Sequence, residues 1–209
     1  MPELMIDGPV GRLEARFSPA EQTGAPVALL LHPHPLYGGA MNDRVLFTVH
    51  RALSRAGFAT LRFNFRGVGR SAGGWSNGAG ELEDAGAALD WLKRAVPDAS
   101  AVRVVGYSFG AWIALQLAVG QRDITDFIAL APPVSLLDFS FLTEWPASGL
   151  ILQGDRDEIA PEAETAALIR SRPGKFVDYC VIAGADHFFS DRLDEVALSV
   201  DRYRAGHAD

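Results

Sequence analysis

The sequence predicts an α/β fold: a three-layer α-β-α sandwich in which a mostly parallel sheet lies between two layers of helices. Three observations carry this. From Val27 onward, short apolar β-type runs alternate with longer stretches of helical period, the order produced by βαβ units. Several of the runs are apolar without alternation, as strands covered on both faces require. Each run is closed by Gly, Pro or Asn, residues that end regular structure.

Ahead of Val27, segments 3–6 and 11–17 alternate like half-exposed strands and predict an antiparallel edge on the sheet. The runs that follow predict strands over 27–31, 59–65, 102–107, 127–131, 150–153 and 176–182. Between them the periodicity predicts helices over 43–56, 81–95, 109–119, 161–170 and 191–204, several opening on acidic residues that suit a helix N-terminus. No internal repeat, low-complexity tract or linker divides the chain, so residues 1–209 are expected to form a single domain.

Bulk properties narrow the function classes. With 48% hydrophobic and 22% charged residues the chain has the balance of a packed globular protein. A formal charge of −7 and no Lys/Arg run argue against nucleic-acid and membrane-surface partners. Cys180 is the sole cysteine, which rules out an intramolecular disulfide and a Cys-based zinc site. The N-terminal residues lack the basic-then-apolar pattern of a signal peptide, and no segment is apolar enough to span a bilayer. A cytoplasmic location is the expectation.

The chemistry centres on Gly106-Tyr107-Ser108-Phe109-Gly110, which follows an apolar run and leads straight into a helical pattern. That context turns a G-x-S-x-G match into a nucleophile elbow. Serine on a tight strand-to-helix turn is strained, and glycines two residues either side let neighbouring backbone pass. The helix N-terminus adds oriented N–H groups that favour an oxyanion, with Phe109 N–H as one donor.

A serine hydroxyl needs a histidine to take its proton and a carboxylate to orient that histidine. His187 lies between the last strand and the last helix, where a loop can project it over the C-terminal edge of the sheet. His50 falls inside a helix and His207 in the C-terminal tail, where packing or exposure accounts for them. Three acidic residues follow the run 150–153 directly: Asp155, Asp157 and Glu158.

Here the chain resembles the α/β-hydrolase superfamily, whose pattern after this strand is close to G-x-x-D-x-x-[VI]-x-P. Gly154, Asp157, Ile159 and Pro161 come near to it. The resemblance gives Asp157 the orienting role and leaves Asp155 as the alternative, with Asp155 and Glu158 otherwise a turn former and a helix-start charge. The order Ser108, Asp157, His187 is also that of α/β-hydrolases.

In His32-Pro33-His34-Pro35-Leu36-Tyr37-Gly38-Gly39 the prolines carry no N–H, so within the turn only His34, Leu36 or Tyr37 can donate to an oxyanion. Aligning His32-Pro33-His34 with the superfamily's His-Gly-x turn selects His34. A metal site on these histidines lacks supporting acidic or cysteine ligands at sensible spacing. The His-Pro-His-Pro turn followed by Gly-Gly looks like that of small bacterial α/β-hydrolases. Arg62-Phe63-Asn64-Phe65-Arg66-Gly67-Val68-Gly69-Arg70-Ser71 resembles the superfamily's R-x-D-x-R-G-x-G-x-S loop, with Asn64 in place of Asp. It lacks the third glycine and the position of a dinucleotide fingerprint, and Arg66 is expected to fix loops by hydrogen bonds.

Many α/β-hydrolases insert a helical cap before the strand that bears the acid. Here fewer than twenty residues, rich in proline, separate Ala131 from Gly149, too few for a cap domain. An open site is expected, with Leu36, Tyr37, Trp75, Pro132, Phe188 and Phe189 in loops that converge near Ser108. The leading expectation is a serine esterase, carboxylesterase-like, acting on a small-molecule ester or thioester through an acyl-serine, with no cofactor or metal. A peptidase or acyltransferase would use the same triad, and a noncatalytic binding protein could keep the fold.

Overall fold

The structure, a computed structural model, describes residues 4–205. Glu3 and His207 lie outside the described residues. Two short strands open the chain, β1 (Leu4–Gly8) and β2 (Gly11–Ser18), followed by β3 (Val27–Leu31). Then come α1 (Arg44–Arg55), β4 (Ala59–Phe63), α2 (Ala79–Ala95), β5 (Val102–Tyr107) and α3 (Phe109–Gly120). The chain ends with β6 (Asp126–Leu130), β7 (Ser148–Gly154), α4 (Glu162–Ser171), β8 (Val177–Ile182) and α5 (Leu193–Ala205).

Among the described residues these strands form one eight-stranded sheet in the order β1-β2-β4-β3-β5-β6-β7-β8. β1 and β2 are the antiparallel edge, and β3 through β8 run parallel. The apolar runs become central strands because both of their faces are covered. Leu29 and Leu31 of β3 face a cluster with α2 and α3, whereas Ala28 and Leu30 face a cluster with α1 and α5. Burying each such leucine contributes roughly 1.5–3 kcal/mol.

The chain leaves β3 for β4 on one side and returns to β5 on the other. The loops after β3 and β5 therefore diverge at a topological switch point, the place where open α/β sheets bind ligands. Several boundaries differ by a residue or two from those the periodicity predicts, and four of the shifts have a local reason. Asn64 N–H still reaches Glu14 O of β2 (2.8 Å), but Phe65 N–H turns away to His32 Nε2 (3.0 Å), and β4 ends at Phe63. α2 starts two residues early, since the Glu81 carboxylate folds back onto Gly78 N (2.8 Å) and Ser76 N (3.0 Å) and caps the helix. Ala131 (φ 44°) turns the chain out of β6, and Asp191 (φ 58°) stays outside α5.

Between Ala131 and β7 the chain forms no helix and adds no lid. Phe139, Leu142 and Trp145 from this segment are buried in the core cluster shared with α3. The predicted fixing role of Arg66 has a concrete form. Its guanidinium makes a two-pronged contact with Asp84 of α2, Nε to Oδ2 at 3.0 Å and a terminal nitrogen to Oδ1 at 2.8 Å, and its backbone N–H also reaches Oδ2. Asn64 suits its surroundings better than aspartate would. Its Nδ2 donates to the buried Glu14 carboxylate at 2.8 Å while Oδ1 accepts Met41 N–H, and a second carboxylate there would repel the first.

Candidate active site

Ser108 sits between β5 and α3 with φ 54° and ψ −119°, a conformation costly for any residue with a Cβ. Hydrogen bonds hold it: Ser108 N–H donates to Leu130 O (2.8 Å), and Ser108 O accepts from Ala111 N (2.8 Å). The flanking glycines are required by close approach. A Cβ on Gly106 would lie 2.1 Å from Gly110 O, and one on Gly110 would lie 2.2 Å from Leu31 O.

Asp157, after β7, and His187, after β8, complete a continuous chain of hydrogen bonds. His187 Nδ1 lies 2.8 Å from Asp157 Oδ2, and His187 Nε2 lies 3.0 Å from Ser108 Oγ. A carboxylate only accepts, so Nδ1 carries the proton and Nε2 is left to accept from the serine hydroxyl. Asp155, the alternative acid, points elsewhere: its Oδ1 accepts Gly184 N–H. It is an exposed loop residue that ties the two loops together.

The surroundings fix these groups from several sides. Asp157 is buried, and its Oδ1 accepts Ile159 N (2.9 Å) and Ala160 N (2.7 Å). Its Oδ2 accepts Gln153 Nε2 at 2.9 Å as well as the histidine. Gln153 Nε2 also reaches Ala160 O, and its Oε1 accepts the Thr165 hydroxyl. The Tyr107 hydroxyl donates to His187 O at 2.9 Å. Burial, reinforced by the nearby Asp43 and Asp157 carboxylates, pushes the Tyr107 pKa up, so the phenol keeps its proton. The residue pattern did not single out Gln153 or Tyr107. A polar side chain closing an apolar strand was the available signal for the first.

In the turn after β3, His32 is fully buried, with Nδ1 donating to Pro33 O (2.7 Å) and Nε2 accepting from Phe65 N. Burial lowers its pKa to about 4, so it holds the turn as a neutral ring. Of the three possible backbone donors, Leu36 N–H is taken by His34 Nδ1 (3.2 Å) and Tyr37 N–H by His34 O (3.1 Å). Neither His34 N–H nor Phe109 N–H has a hydrogen-bond partner among the described residues. Burial also lowers the pKa of the His34 imidazole, against the opposing pull of Glu81.

A cavity of about 630 Å³ opens over Ser108, bounded by His34, Tyr37, Phe109, Pro133, Leu136, Leu137, His187 and Phe188, among others. Of the residues predicted to line it, Tyr37 and Phe188 do so. Leu36 does not, because the 3-10 turn at Pro35–Tyr37 carries its side chain out to solvent. Trp75 does not either. It packs behind the wall, its ring 4.5 Å from that of His34 and 5.2 Å from that of Phe109. The turn at Ala131 buries Pro132 and brings Pro133 to the cavity in its place. Phe189 lies in the core under α5. No group of side chains suited to a metal ion occurs among the described residues.

Residues 7–176 match the profile of the X-Pro dipeptidyl-peptidase (S15) family. The chain belongs to the S15 family. This S15 chain is 44% identical to an uncharacterised protein of Rickettsia prowazekii, over 97% of its own length and 88% of the relative's. A solved α/β-hydrolase-type protein of unknown function from Agrobacterium tumefaciens is 43% identical, with a TM-score of 0.94 over 98% of this chain and 95% of that one. An α/β serine hydrolase without a lid from Xanthomonas campestris is 30% identical, with a TM-score of 0.91 over 100% of this chain and 95% of that one. By family and fold the S15 chain is an α/β serine hydrolase without a cap. No helix among its described residues is long and apolar enough to cross a membrane.

Proposed function

We propose that this protein hydrolyses a carboxylic ester or thioester of a small molecule through an acyl-serine intermediate. The observation that carries the reading is the unbroken hydrogen-bond chain from Asp157 through His187 to Ser108, ending at the floor of an open and largely apolar cavity.

In this mechanism His187 Nε2 takes the Ser108 proton as Oγ bonds to the substrate carbonyl carbon. Negative charge collects on the carbonyl oxygen, where the otherwise unbonded N–H groups of His34 and Phe109 receive it. Collapse breaks the bond to the leaving group, which departs with the proton held on His187. Water then enters, gives a proton to the same nitrogen and attacks the acyl carbon; the proton returns to Ser108 as the acid leaves. Asp157 holds the ring in the required tautomer and stabilises the imidazolium. The negative charge and the lone cysteine support a cytoplasmic setting for this chemistry, away from nucleic acid and bilayers.

The test is turnover of a panel of p-nitrophenyl and thiophenyl acyl esters. Hydrolysis by the wild type that S108A abolishes supports the reading, and hydrolysis that survives S108A ends it. A peptidase is the second reading, favoured by the family whose profile the chain matches. Cleavage of peptide p-nitroanilides at rates above those of the matched esters would replace the first reading with the second.

A further inference from the structure

Most of the cavity wall is apolar: Phe109, Pro133, Leu136, Leu137, Ile159 and Phe188 contribute to it. One carboxylate interrupts it. Asp43, the N-cap residue of α1, lines the same space, and among the described residues no lysine or arginine does. Its two oxygens have different surroundings. Oδ1 takes both capping hydrogen bonds, from Val45 N at 2.8 Å and Leu46 N at 3.1 Å, while Oδ2 accepts none among the described residues.

Capping does not require the charge, because asparagine caps a helix as well as aspartate does. The charge is also poorly solvated. Burial raises the Asp43 pKa, with the two cap hydrogen bonds and the neighbouring Arg44 acting in opposition. Arg44 itself is exposed and does not border the cavity. A carboxylate in such a wall attracts a cation more strongly than one in open water. It is also close enough to Tyr107, the residue before the nucleophile, to affect that phenol electrostatically. Asp43 and Ser108 line the same cavity, so a group held by Asp43 shares the space in which Ser108 attacks.

We propose that Asp43 forms a cation subsite, so that the preferred substrate carries an alkylammonium-type positive group, held by Asp43 Oδ2, beside the scissile ester. This rests on the ester-hydrolase reading above.

Isosteric ester pairs test it. On the acyl side, p-nitrophenyl 4-(trimethylammonio)butanoate is compared with p-nitrophenyl 5,5-dimethylhexanoate; on the alcohol side, butyrylcholine is compared with 3,3-dimethylbutyl butyrate. The readout is the ratio of kcat/KM for the charged ester to that for the neutral one, in wild type, D43N and D43S, all of which keep a capping side chain. A loss of cap affects both members of a pair and cancels in the ratio. The expected result is a wild-type ratio that falls about tenfold in both variants for at least one pair, which also says on which side of the ester the cation lies. An equal ratio in all three proteins, for both pairs, overturns the subsite. Failure of the wild type to hydrolyse any of the four esters would remove the ester reading itself, and the subsite with it.

Discussion

Replacing Gln153 separates the geometry of the Asp157–His187 pair from the mere presence of its members. In Gln153→Leu the side chain keeps its approximate size and loses every polar contact. Asp157 Oδ2 then keeps only the His187 donor, and Ala160 O and the Thr165 hydroxyl lose Gln153 as a partner in a buried region. Two buried groups left unpaired cost about 2–6 kcal/mol of stability, which for a chain of this size lowers Tm by roughly 5–20 °C. Losing one hydrogen bond to the orienting carboxylate should lower kcat roughly 10–100-fold. KM should change little, because Gln153 does not border the cavity.

Gln153→Glu gives the sharper readout. It sets a second carboxyl beside Asp157 across a gap that is 2.9 Å in the native pair. At an effective dielectric of 20 two charges that close repel by roughly 6 kcal/mol, so the pair retains one shared proton well above the usual carboxylate range. With that proton the introduced carboxyl still donates to Asp157; without it, it repels. Activity of Q153E should therefore fall as pH rises through a range where wild type holds steady, measured as kcat against pH on a p-nitrophenyl ester. Wild-type kcat in Q153L together with an unshifted profile in Q153E would refute the positioning role.

Asp157→Asn should lower ester turnover by about 10⁴-fold through loss of the orienting anion, while Asp155→Asn should stay within about a factor of three; steady-state rates on one ester distinguish the two acids. Gly110→Ala places a Cβ 2.2 Å from Leu31 O and 2.7 Å from His32 O, backbone atoms that cannot turn aside, and should cost about 3 kcal/mol or more, read as a fall in Tm. The buried His32 and His50 are each held down to a pKa of about 4, chiefly by burial. The unfolded chain therefore takes up protons that the native one refuses once pH drops below about 6.5. Stability is complete above that pH and should fall by about 1.4 kcal/mol per pH unit for each ring as pH goes from 6.5 toward 4; His50→Gln should remove roughly half of this slope in urea titrations at pH 7, 6 and 5.

What the sequence made legible was whatever depends on nearby residues. Strands such as β3 and β5 could be placed because an uninterrupted apolar run needs two covered faces. Ser108 could be placed because its glycines are demanded by backbone packing within five positions. The loop after the last strand pointed to His187, whereas position alone left Asp155, Asp157 and Glu158 open, and the resemblance to α/β-hydrolases chose Asp157. The cavity wall was harder to read, since whether Pro132 or Pro133 faces it depends on one positive φ at Ala131, and nothing in a Pro-Pro pair encodes that. Trp75 was assigned to the lining when it backs it, because hydrophobicity does not say on which side of His34 a ring packs. Gln153 and Asp43 went unnoticed for a related reason. Each serves a local purpose, a strand end or a helix cap, and its relation to the site comes from loops that meet only in three dimensions.

The central claim is that Ser108 is a nucleophile activated by His187. Treating the protein with a fluorophosphonate and locating the adduct by mass spectrometry tests this most directly. The account predicts one phosphonylated site, on Ser108, that is lost in S108A and strongly slowed in H187A. An unlabelled wild type, or a label that persists in S108A, would contradict it.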